Sequence, residues 1–334
     1  MRHAIDSLIC SALVLSGACS TDAADDTLGF GTEPTSNGSA TVTTTVGTGE
    51  SGSDSSTSSE GGESSSGAPS SESSSSGGES STGELVTEPC TSLDVLVVID
   101  NSDTMAEEQA KLTAALGPFF MLLDTQLPGV MGSTRIAVIT TDAPEFVTAN
   151  PTMVCTPYSS GATWIAYGET SATELACASA QGTMGDPDER PIQRALESLA
   201  PELQGLGGVN EGFLRDTGPL VVVIVTDEED DLEALTEWGS EGDPDDWREA
   251  FAATQDGHVQ DVVPLVLAGI DPPNACPPLQ WNGLEGAERA PRLQAFAESF
   301  PHHAIGDACA AEYVTFLNGA VPEVVDACNA WVPE

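Results

Sequence analysis

Basic residues are scarce in this sequence, which has 9 Lys plus Arg against 53 Asp plus Glu in 334 residues and a formal net charge of −44. A chain this acidic lacks the positive surface with which proteins bind nucleic acids or anionic membranes. Long apolar runs are also missing, since the longest stretch near either end has about eight residues and a transmembrane helix needs about 20. We therefore expect no nucleic-acid partner and no transmembrane segment.

Catalytic motifs are missing as well. His258, His302 and His303 are the histidines of the C-terminal region, and none lies in a recognisable nucleophile or metal motif. The sequence has no G-x-S-x-G elbow, no phosphate-binding loop and no dinucleotide fingerprint. Since no general base or nucleophile can be named, we predict a protein that is not an enzyme.

The N-terminus has the pattern of an export signal. Residues 1–19 combine a weakly basic start, an apolar stretch at 8–15 and small residues before Cys19. The segment resembles the signal of bacterial lipoproteins, in which the Cys becomes the lipid anchor. Ser16 stands where that family prefers Leu, and Ser16 with Ala18 also fits ordinary signal cleavage. We predict a lipoprotein anchored at Cys19, with secretion as the alternative.

Residues 20–88 form a different region. They are rich in Ser, Gly, Thr and Glu, contain no Lys or Arg, and have almost no large apolar side chains. Such a segment cannot bury enough surface to offset its chain entropy, so we expect a disordered linker. As a flexible coil of about 70 residues it would reach roughly 40–50 Å, which suits a spacer.

Residues 89–334 change character and indicate one α/β domain. Continuous Val, Ile and Leu runs, rather than alternating ones, are typical of parallel strands covered on both faces by helices. They lie at 94–99, 135–140, 220–226 and 262–269. Pro264 cannot donate to a ladder, so its strand should be short, bulged or near an edge.

Helical spacing of apolar residues lies between these runs. We predict helices over 112–123, from Pro191 onward, over 290–300 and over 311–327, with the first kinked or split at Gly117–Pro118. Alternation of strands and helices predicts an open, mostly parallel, doubly wound sheet whose functional crevice lies beyond the carboxyl ends of its strands.

The cysteine count indicates disulfides. Six Cys remain after Cys10 and Cys19 are set aside, and an even count in an exported domain implies three bridges with fifteen arrangements. The absence of C-x-x-C spacing argues against zinc and thioredoxin-like chemistry. Among the arrangements we predict Cys90–Cys328, Cys155–Cys177 and Cys276–Cys309.

Oxygen ligands follow the first predicted strand. Asp100, Ser102 and Thr104 come directly after it, on a tight turn before a helix. One carboxylate with two hydroxyls suits Mg²⁺, which binds one or two carboxylates and keeps several waters. Asp, Ser and Thr also cap helices, which is the structural alternative.

The motif from Asp100 to Thr104 (DNSDT) resembles the Asp-x-Ser-x-Ser pattern of the metal-ion-dependent adhesion site in von Willebrand factor type A (vWA) domains. In that family an Asp ends the fourth strand, and Asp227 occupies this place. The family also uses a loop Thr, for which Thr183 is the candidate and Asp186 the substitute. Asp103 stands where Gly is common. Residues 90–330 resemble the secreted vWA lipoproteins of Gram-negative bacteria.

The resemblance implies a vWA or Rossmann-like fold and a binding module. It implies Mg²⁺, or Mn²⁺ or Ca²⁺, held by Asp100, Ser102, Thr104, Asp227 and Thr183, and a protein ligand that supplies a carboxylate. The alternative is an envelope scaffold with no metal-dependent adhesion. From the residues alone, the remaining acidic runs, at 228–231 and 243–246, are expected to form a solvated face.

Overall fold

The computed structural model describes residues 89–231, 239–272, 274, 276–277 and 286–332. The predicted signal at 1–19, the lipidation site Cys19 and the predicted linker at 20–88 lie outside the described residues.

A six-stranded sheet forms the centre of the domain. Its strands, in spatial order, are β5 (Ile165–Ala166), β2 (Arg135–Thr140), β1 (Asp94–Ile99), β6 (Leu220–Val225), β7 (Val262–Ala268) and β8 (Ala304–Asp307). Only β5 runs antiparallel to its neighbour. Two further short strands, β3 (Ala149–Asn150) and β4 (Met153–Val154), pair as a separate hairpin. The predicted, mostly parallel sheet is therefore confirmed.

Helices connect the strands. They are α1 (Ala106–Gln126), α2 (Ser171–Ala178), α3 (Pro191–Ser198), α4 (Pro201–Gln204), α5 (Pro244–Ala253), α6 (Pro291–Glu298) and α7 (Val314–Ala330). Short 3₁₀ turns cover Met131–Ser133 and Val259–Asp261. The first helix continues through Pro118, so the predicted split does not occur. Among the described residues, no helix is both long enough and apolar enough to cross a bilayer.

Two hydrophobic cores lie on opposite faces of the sheet. Side chains of a strand alternate between faces, so Val97 of β1 packs with α1 and α7 while Val98 packs with α3, α5 and α6. Phe119 is a large buried residue of the first core and Phe296 of the second. Both faces are covered, which explains why the strands carry continuous apolar runs and confirms the doubly wound arrangement.

Pro264 lies near an edge of the sheet, as predicted. It pairs with Val222 of β6 on one side, whereas pairing with β8 on the other side begins only at Leu265. The residue without a backbone N–H therefore lies where one neighbouring strand has not yet begun.

Three disulfides cross-link the described residues, and the predicted arrangement is confirmed. Cys90–Cys328 joins the chain entering β1 to the end of α7, Cys155–Cys177 joins the β4 region to α2, and Cys276–Cys309 joins the segments after β7 and β8.

The register of β1 and β6 determines what lies beyond the sheet. Ile99 pairs with Val225, so the residues that follow the two strands emerge side by side at the carboxyl edge. Asp100 continues the ladder by donating its N–H to the Val225 carbonyl at 3.0 Å.

Candidate functional site

Asp100 is the centre of a buried polar cluster at this edge. Its Oδ1 accepts from the Ser102 N–H and its Oδ2 from the Thr226 hydroxyl, each at 2.8 Å. The side chain is fully buried, and this burial raises the pKa of its carboxyl above the usual range. The fold thus positions one carboxylate rigidly between the two central strands.

The two predicted hydroxyl groups lie together beside it. Ser102 Oγ and Thr104 Oγ1 are 3.3 Å apart, and both residues are buried. The first helix has Met105 at its N-cap, with no side-chain capping bond. Helix capping, the structural alternative, therefore does not account for Asp100, Ser102 and Thr104.

Asp227 brings a second carboxylate to the cluster. It is 2% exposed, and its Oδ1 has no hydrogen-bond partner among the described residues. Burial, followed by the nearby charge of Asp100, raises the pKa of Asp227 to about 7, although a hydrogen bond from Thr104 opposes the rise. The structure therefore brings Asp100, Ser102, Thr104 and Asp227 to one place.

The loop before α3 is tied across the turn that follows β1. Gln109 of α1 donates to the Gly182 carbonyl at 2.7 Å and accepts from the Gly182 N–H at 3.0 Å. Further along, the Gly185 N–H donates to the Asn101 carbonyl at 2.8 Å. A Cβ at Gly185 would lie 2.8 Å from the Asn101 backbone oxygen, so this close approach requires glycine.

Thr183, the predicted loop ligand, lies in this tied segment and is half-buried. Within the described part of the chain, no hydrogen bond joins it to Asp100 or Asp227. Its substitute, Asp186, is exposed, and its N–H donates to Asp142 at 3.0 Å. No hydrogen bond among the described residues therefore joins either residue to Asp100 or Asp227, and the loop ligand stays a prediction.

Glu189, at the end of the same loop, is a buried neighbour of Asp100. It is 3% exposed and lies against the Asp100 carboxyl and the Thr141 hydroxyl. No hydrogen bond of ordinary geometry among the described residues ends on its carboxyl oxygens, although Thr141 and Asp100 lie near enough to change its pKa. Burial, and then repulsion by Asp100, raises the pKa of Glu189 well above its usual range.

Sequence reasoning missed Glu189. The available signal was an acidic residue directly before the helix start marked by Pro191, but nothing local distinguished it from Asp186 or Asp188. The choice depends on how the loop is tied to Gln109 and Asn101, which are distant in sequence.

No positive side chain compensates these carboxylates. In the part of the chain that the structure describes, no Lys or Arg contacts Asp100, Glu189 or Asp227. Lys111, on the first turns of α1, forms ion pairs with Glu107 at 3.2 Å and Glu108 at 3.4 Å. Uncompensated buried carboxylates either bind a cation or take up protons. The cluster has the oxygen ligands to do the former.

The half-buried Glu228 adds to the negative charge beside the cluster. Burial and the charges of Asp100 and Asp227 raise the pKa of Glu228 to about 8. On the other side, a cavity of about 290 Å³ adjoins Thr141 and the tied loop. Asp142, Asp186 and Arg190 line it. The surroundings of the site are thus strongly acidic, and Arg190 is a basic residue beside them.

The expectation of a solvated face is wrong for Glu229 and Asp230. They are 8% and 0% exposed. Asp230 accepts from Ser240 and from the Ile192 N–H at the start of α3, and Glu229 accepts from backbone N–H groups at the start of α6. Free helix N-termini supply these donors, so the two carboxylates are needed inside the protein.

The second acidic stretch behaves as expected. Asp243 is exposed and caps α5, accepting from the N–H groups of Asp245 at 3.0 Å and Asp246 at 3.2 Å. It is a surface helix cap rather than a ligand set.

A second group of ligand-type atoms lies elsewhere. Cys276, Asp307 and Cys309 bring such atoms within 4.8 Å of one another. Because the two cysteines form a disulfide, they offer no thiolate for a metal. The carboxyl-edge cluster is therefore the candidate site.

Comparisons with known proteins add little. No family model and no curated protein matches the chain. Among solved structures, proximal thread matrix protein 1 from the mussel byssus, crystal form 2, is similar with a TM-score of 0.38 and 10% identity over 72% of this chain. The match covers 49% of that chain, so the present chain spans about half of its length.

Proposed function

We propose that the domain binds a protein ligand through a divalent cation held at the carboxyl edge of the sheet. The unpartnered Oδ1 of Asp227, close to the Asp100 carboxyl, carries the proposal, since both side chains are buried and no Lys or Arg contacts them among the described residues. A divalent cation would compensate the charge that the polypeptide leaves uncompensated.

The donor set fits such a cation. Asp100, Ser102, Thr104 and Asp227 offer carboxylate and hydroxyl oxygens, which are the ligands that Mg²⁺, Mn²⁺ and Ca²⁺ prefer. Mg²⁺ is the ion implied by the resemblance to vWA domains. When bound, the ion supplies a positive centre that a carboxylate of the protein ligand can coordinate. The residues of this chain hold the ion in position at the carboxyl edge of the sheet.

The charge of the domain restricts its partners. Residues 89–334 contain 8 Lys plus Arg and 40 Asp plus Glu, a net charge of about −32. Such a surface repels an acidic protein over distances up to the Debye length of about 8 Å. A partner that presents a carboxylate among basic residues can coordinate the ion and is not repelled by the acidic surface.

Location belongs to the same proposal. We infer export to the cell envelope, with Cys19 lipid-anchored and residues 20–88 serving as a spacer, or secretion if ordinary cleavage removes the signal. The three disulfides of the domain support this, because such bonds persist in oxidising compartments.

A displayed peptide library tests ligand binding directly. The chain without residues 1–19, made under oxidising conditions, is immobilised in Mg²⁺ and Ca²⁺, and bound phage are eluted with EDTA. We expect enrichment of peptides that combine Asp or Glu with flanking Lys or Arg. The same selection on Asp100→Ala should give no EDTA-eluted enrichment.

Equal EDTA elution from the wild type and Asp100→Ala would contradict cation-dependent binding. A domain that passes every folding test but enriches nothing would support the alternative, an envelope scaffold without metal-dependent adhesion. Changing the acidic residue of an enriched peptide to its amide separates coordination of the ion from general charge attraction.

A further inference from the structure

We propose that a cavity at the amino edge of the sheet is a second binding site, which takes an uncharged oligosaccharide. The cavity measures about 880 Å³ and lies between the loop before β5 and the loop after α4. Arg135, the first residue of β2, forms part of its wall, so the cavity is at the edge opposite to Asp100. The proposal does not depend on the cation site.

The size and the stability of the cavity are the first support. Ligand cavities in proteins measure about 300–1,000 Å³, which gives this one room for roughly two or three sugar rings. Its two loops are joined by hydrogen bonds of their own. The Thr163 hydroxyl donates to the Val209 carbonyl at 2.7 Å, and Trp164 Nε1 donates to the Glu211 carbonyl at 3.3 Å. Because the walls are already joined, binding costs little ordering entropy.

Trp164 supplies the apolar surface that a sugar ring needs. Its indole is half-buried and lines the cavity, and the Arg135 guanidinium carbon lies 4.6 Å from the ring centroid. Arg135 is fixed in turn, since its Nη1 donates to the carbonyls of Gly212 and Phe213. The C–H groups of a pyranose carry a slight positive charge and pack against aromatic surface. An indole held in this way suits a saccharide.

Polar groups in the same wall include both donors and acceptors. Among the described residues, the Nε and Nη2 groups of Arg135 and the hydroxyls of Thr148 and Thr156 form no hydrogen bond. Glu211 accepts from the Gly207 N–H at 2.9 Å through Oε2, and its Oε1 has no partner in that part of the chain. A sugar hydroxyl donates and accepts at once, so it needs both kinds of group.

The charge of the wall argues against other classes of ligand. Arg135 and Glu211 are the charged side chains that line the cavity, so the wall has no net charge in a domain of about −32. An anionic ligand would meet Glu211, and a cationic one would meet Arg135. A purely apolar ligand would leave these groups and the two hydroxyls without partners. An uncharged molecule rich in hydroxyl groups fits the wall best.

A glycan array that carries neutral and acidic glycans tests the class of ligand. The chain lacking residues 1–19, made under oxidising conditions, is applied in EDTA, so that no divalent cation contributes to binding. We expect neutral oligosaccharides to be bound and acidic ones to be left unbound. Binding of acidic glycans alone, or of no glycan, would overturn the proposal.

Variants then locate the binding. Calorimetry with the best-bound neutral glycan should show at least about tenfold weaker affinity for Trp164→Ala and a partial loss for Trp164→Phe, which keeps an aromatic ring. Thr156→Val removes a hydroxyl but keeps the side-chain shape, and should weaken binding by about three- to tenfold. Thr173→Val, on the exposed side of α2 and outside the cavity wall, is the matched control and should bind like the wild type.

The remaining outcomes are equally clear. Glycan binding that both Trp164→Ala and Thr156→Val leave unchanged would place the glycan elsewhere and overturn the proposal. Thr156→Val keeps the test valid if Trp164→Ala fails to fold, which its melting curve shows. The affinity should also be the same in EDTA and in Mg²⁺. A glycan that binds only in Mg²⁺ would belong to the carboxyl edge of the sheet and not to this cavity.

Discussion

Asp227 and Asp230 lie three positions apart in one acidic run and have opposite surroundings. Asp230 accepts hydrogen bonds from the Ser240 N–H, the Ser240 hydroxyl and the Ile192 N–H, at 2.7, 2.7 and 3.1 Å. Asp227 has an oxygen with no partner among the described residues. Asp230 therefore joins three segments of the fold, whereas Asp227 keeps the unpartnered oxygen that the proposed cation site requires. Acidic residues in one short run therefore have different roles, and their hydrogen-bond partners determine which role each one has.

Glu229 lies between them and belongs with Asp230. Its Oε2 accepts from the Arg292 N–H at 2.7 Å and its Oε1 from the Leu293 N–H at 3.2 Å, so it satisfies the first turn of α6. Asp227, in contrast, accepts no hydrogen bond from a helix N-terminus among the described residues. The comparison therefore predicts which acidic residues support the fold with or without a cation.

The largest expected effect is for Asp230→Ala. The change leaves buried N–H and hydroxyl donors of Ile192 and Ser240 without an acceptor, and bonds to a charged group are worth about 1.5–3 kcal/mol each. We expect the free energy of unfolding to fall by about 3–5 kcal/mol in urea titrations. The loss of stability should be equal in EDTA and in Ca²⁺. If saturating Ca²⁺ cancelled the loss, Asp230 would belong to the cation site and the comparison with Asp227 would be wrong. The exposed Glu249→Ala is the control and should stay within about 0.5 kcal/mol of the wild type.

Asp227→Asn should lower the stability, relative to the wild type, only when a cation is present. In EDTA the variant should be at least as stable as the wild type, because it removes a charge close to Asp100. A cation at 100 times its dissociation constant stabilises the wild type by roughly 2.7 kcal/mol, and the variant should lose most of this gain. Thermal melts across a Ca²⁺ series measure it. An equal rise in melting temperature in both proteins would indicate screening of the acidic surface.

Glu229→Gln should have the smallest effect. Glutamine keeps one carbonyl oxygen for the N-terminus of α6 but loses the charge and the second acceptor. We expect a loss of about 1 kcal/mol, similar to that of a weakened helix cap, with and without Ca²⁺. Urea titration measures it. A Ca²⁺ response weaker than that of the wild type would place Glu229 with Asp227 instead.

The strands, and the hydrophobic cores on both faces of the sheet, could be predicted from the sequence because each depends on local pattern. Continuous Val, Ile and Leu runs mark strands buried on both faces, and the parallel arrangement then brings Asp100 and Asp227 to one edge. Hydrophobic pattern therefore places both residues at this edge, whereas the choice of Asp227 as the partner of Asp100 rested on the resemblance to vWA domains.

Glu189 and Asp230 could not be predicted in the same way. Their environments depend on contacts between distant segments, namely the tie of Gly185 to Asn101 and the approach of the α3 N-terminus to the loop after β6. The local sequence around an acidic residue does not distinguish a surface position from a helix start or a ligand cluster. Only the tertiary arrangement of donors separates these cases.

The disulfide between Cys90 and Cys328 has a mechanical consequence. Cys90 lies just before β1, the strand that ends at Asp100, and β1 is paired along its six residues with both β2 and β6. A pull between Cys90 and the carboxyl edge therefore stretches β1 in shear, so its ladder bonds resist together instead of opening one at a time. Because the disulfide also fastens Cys90 to the end of α7, tension that enters the domain there is shared between the central strand and the final helix.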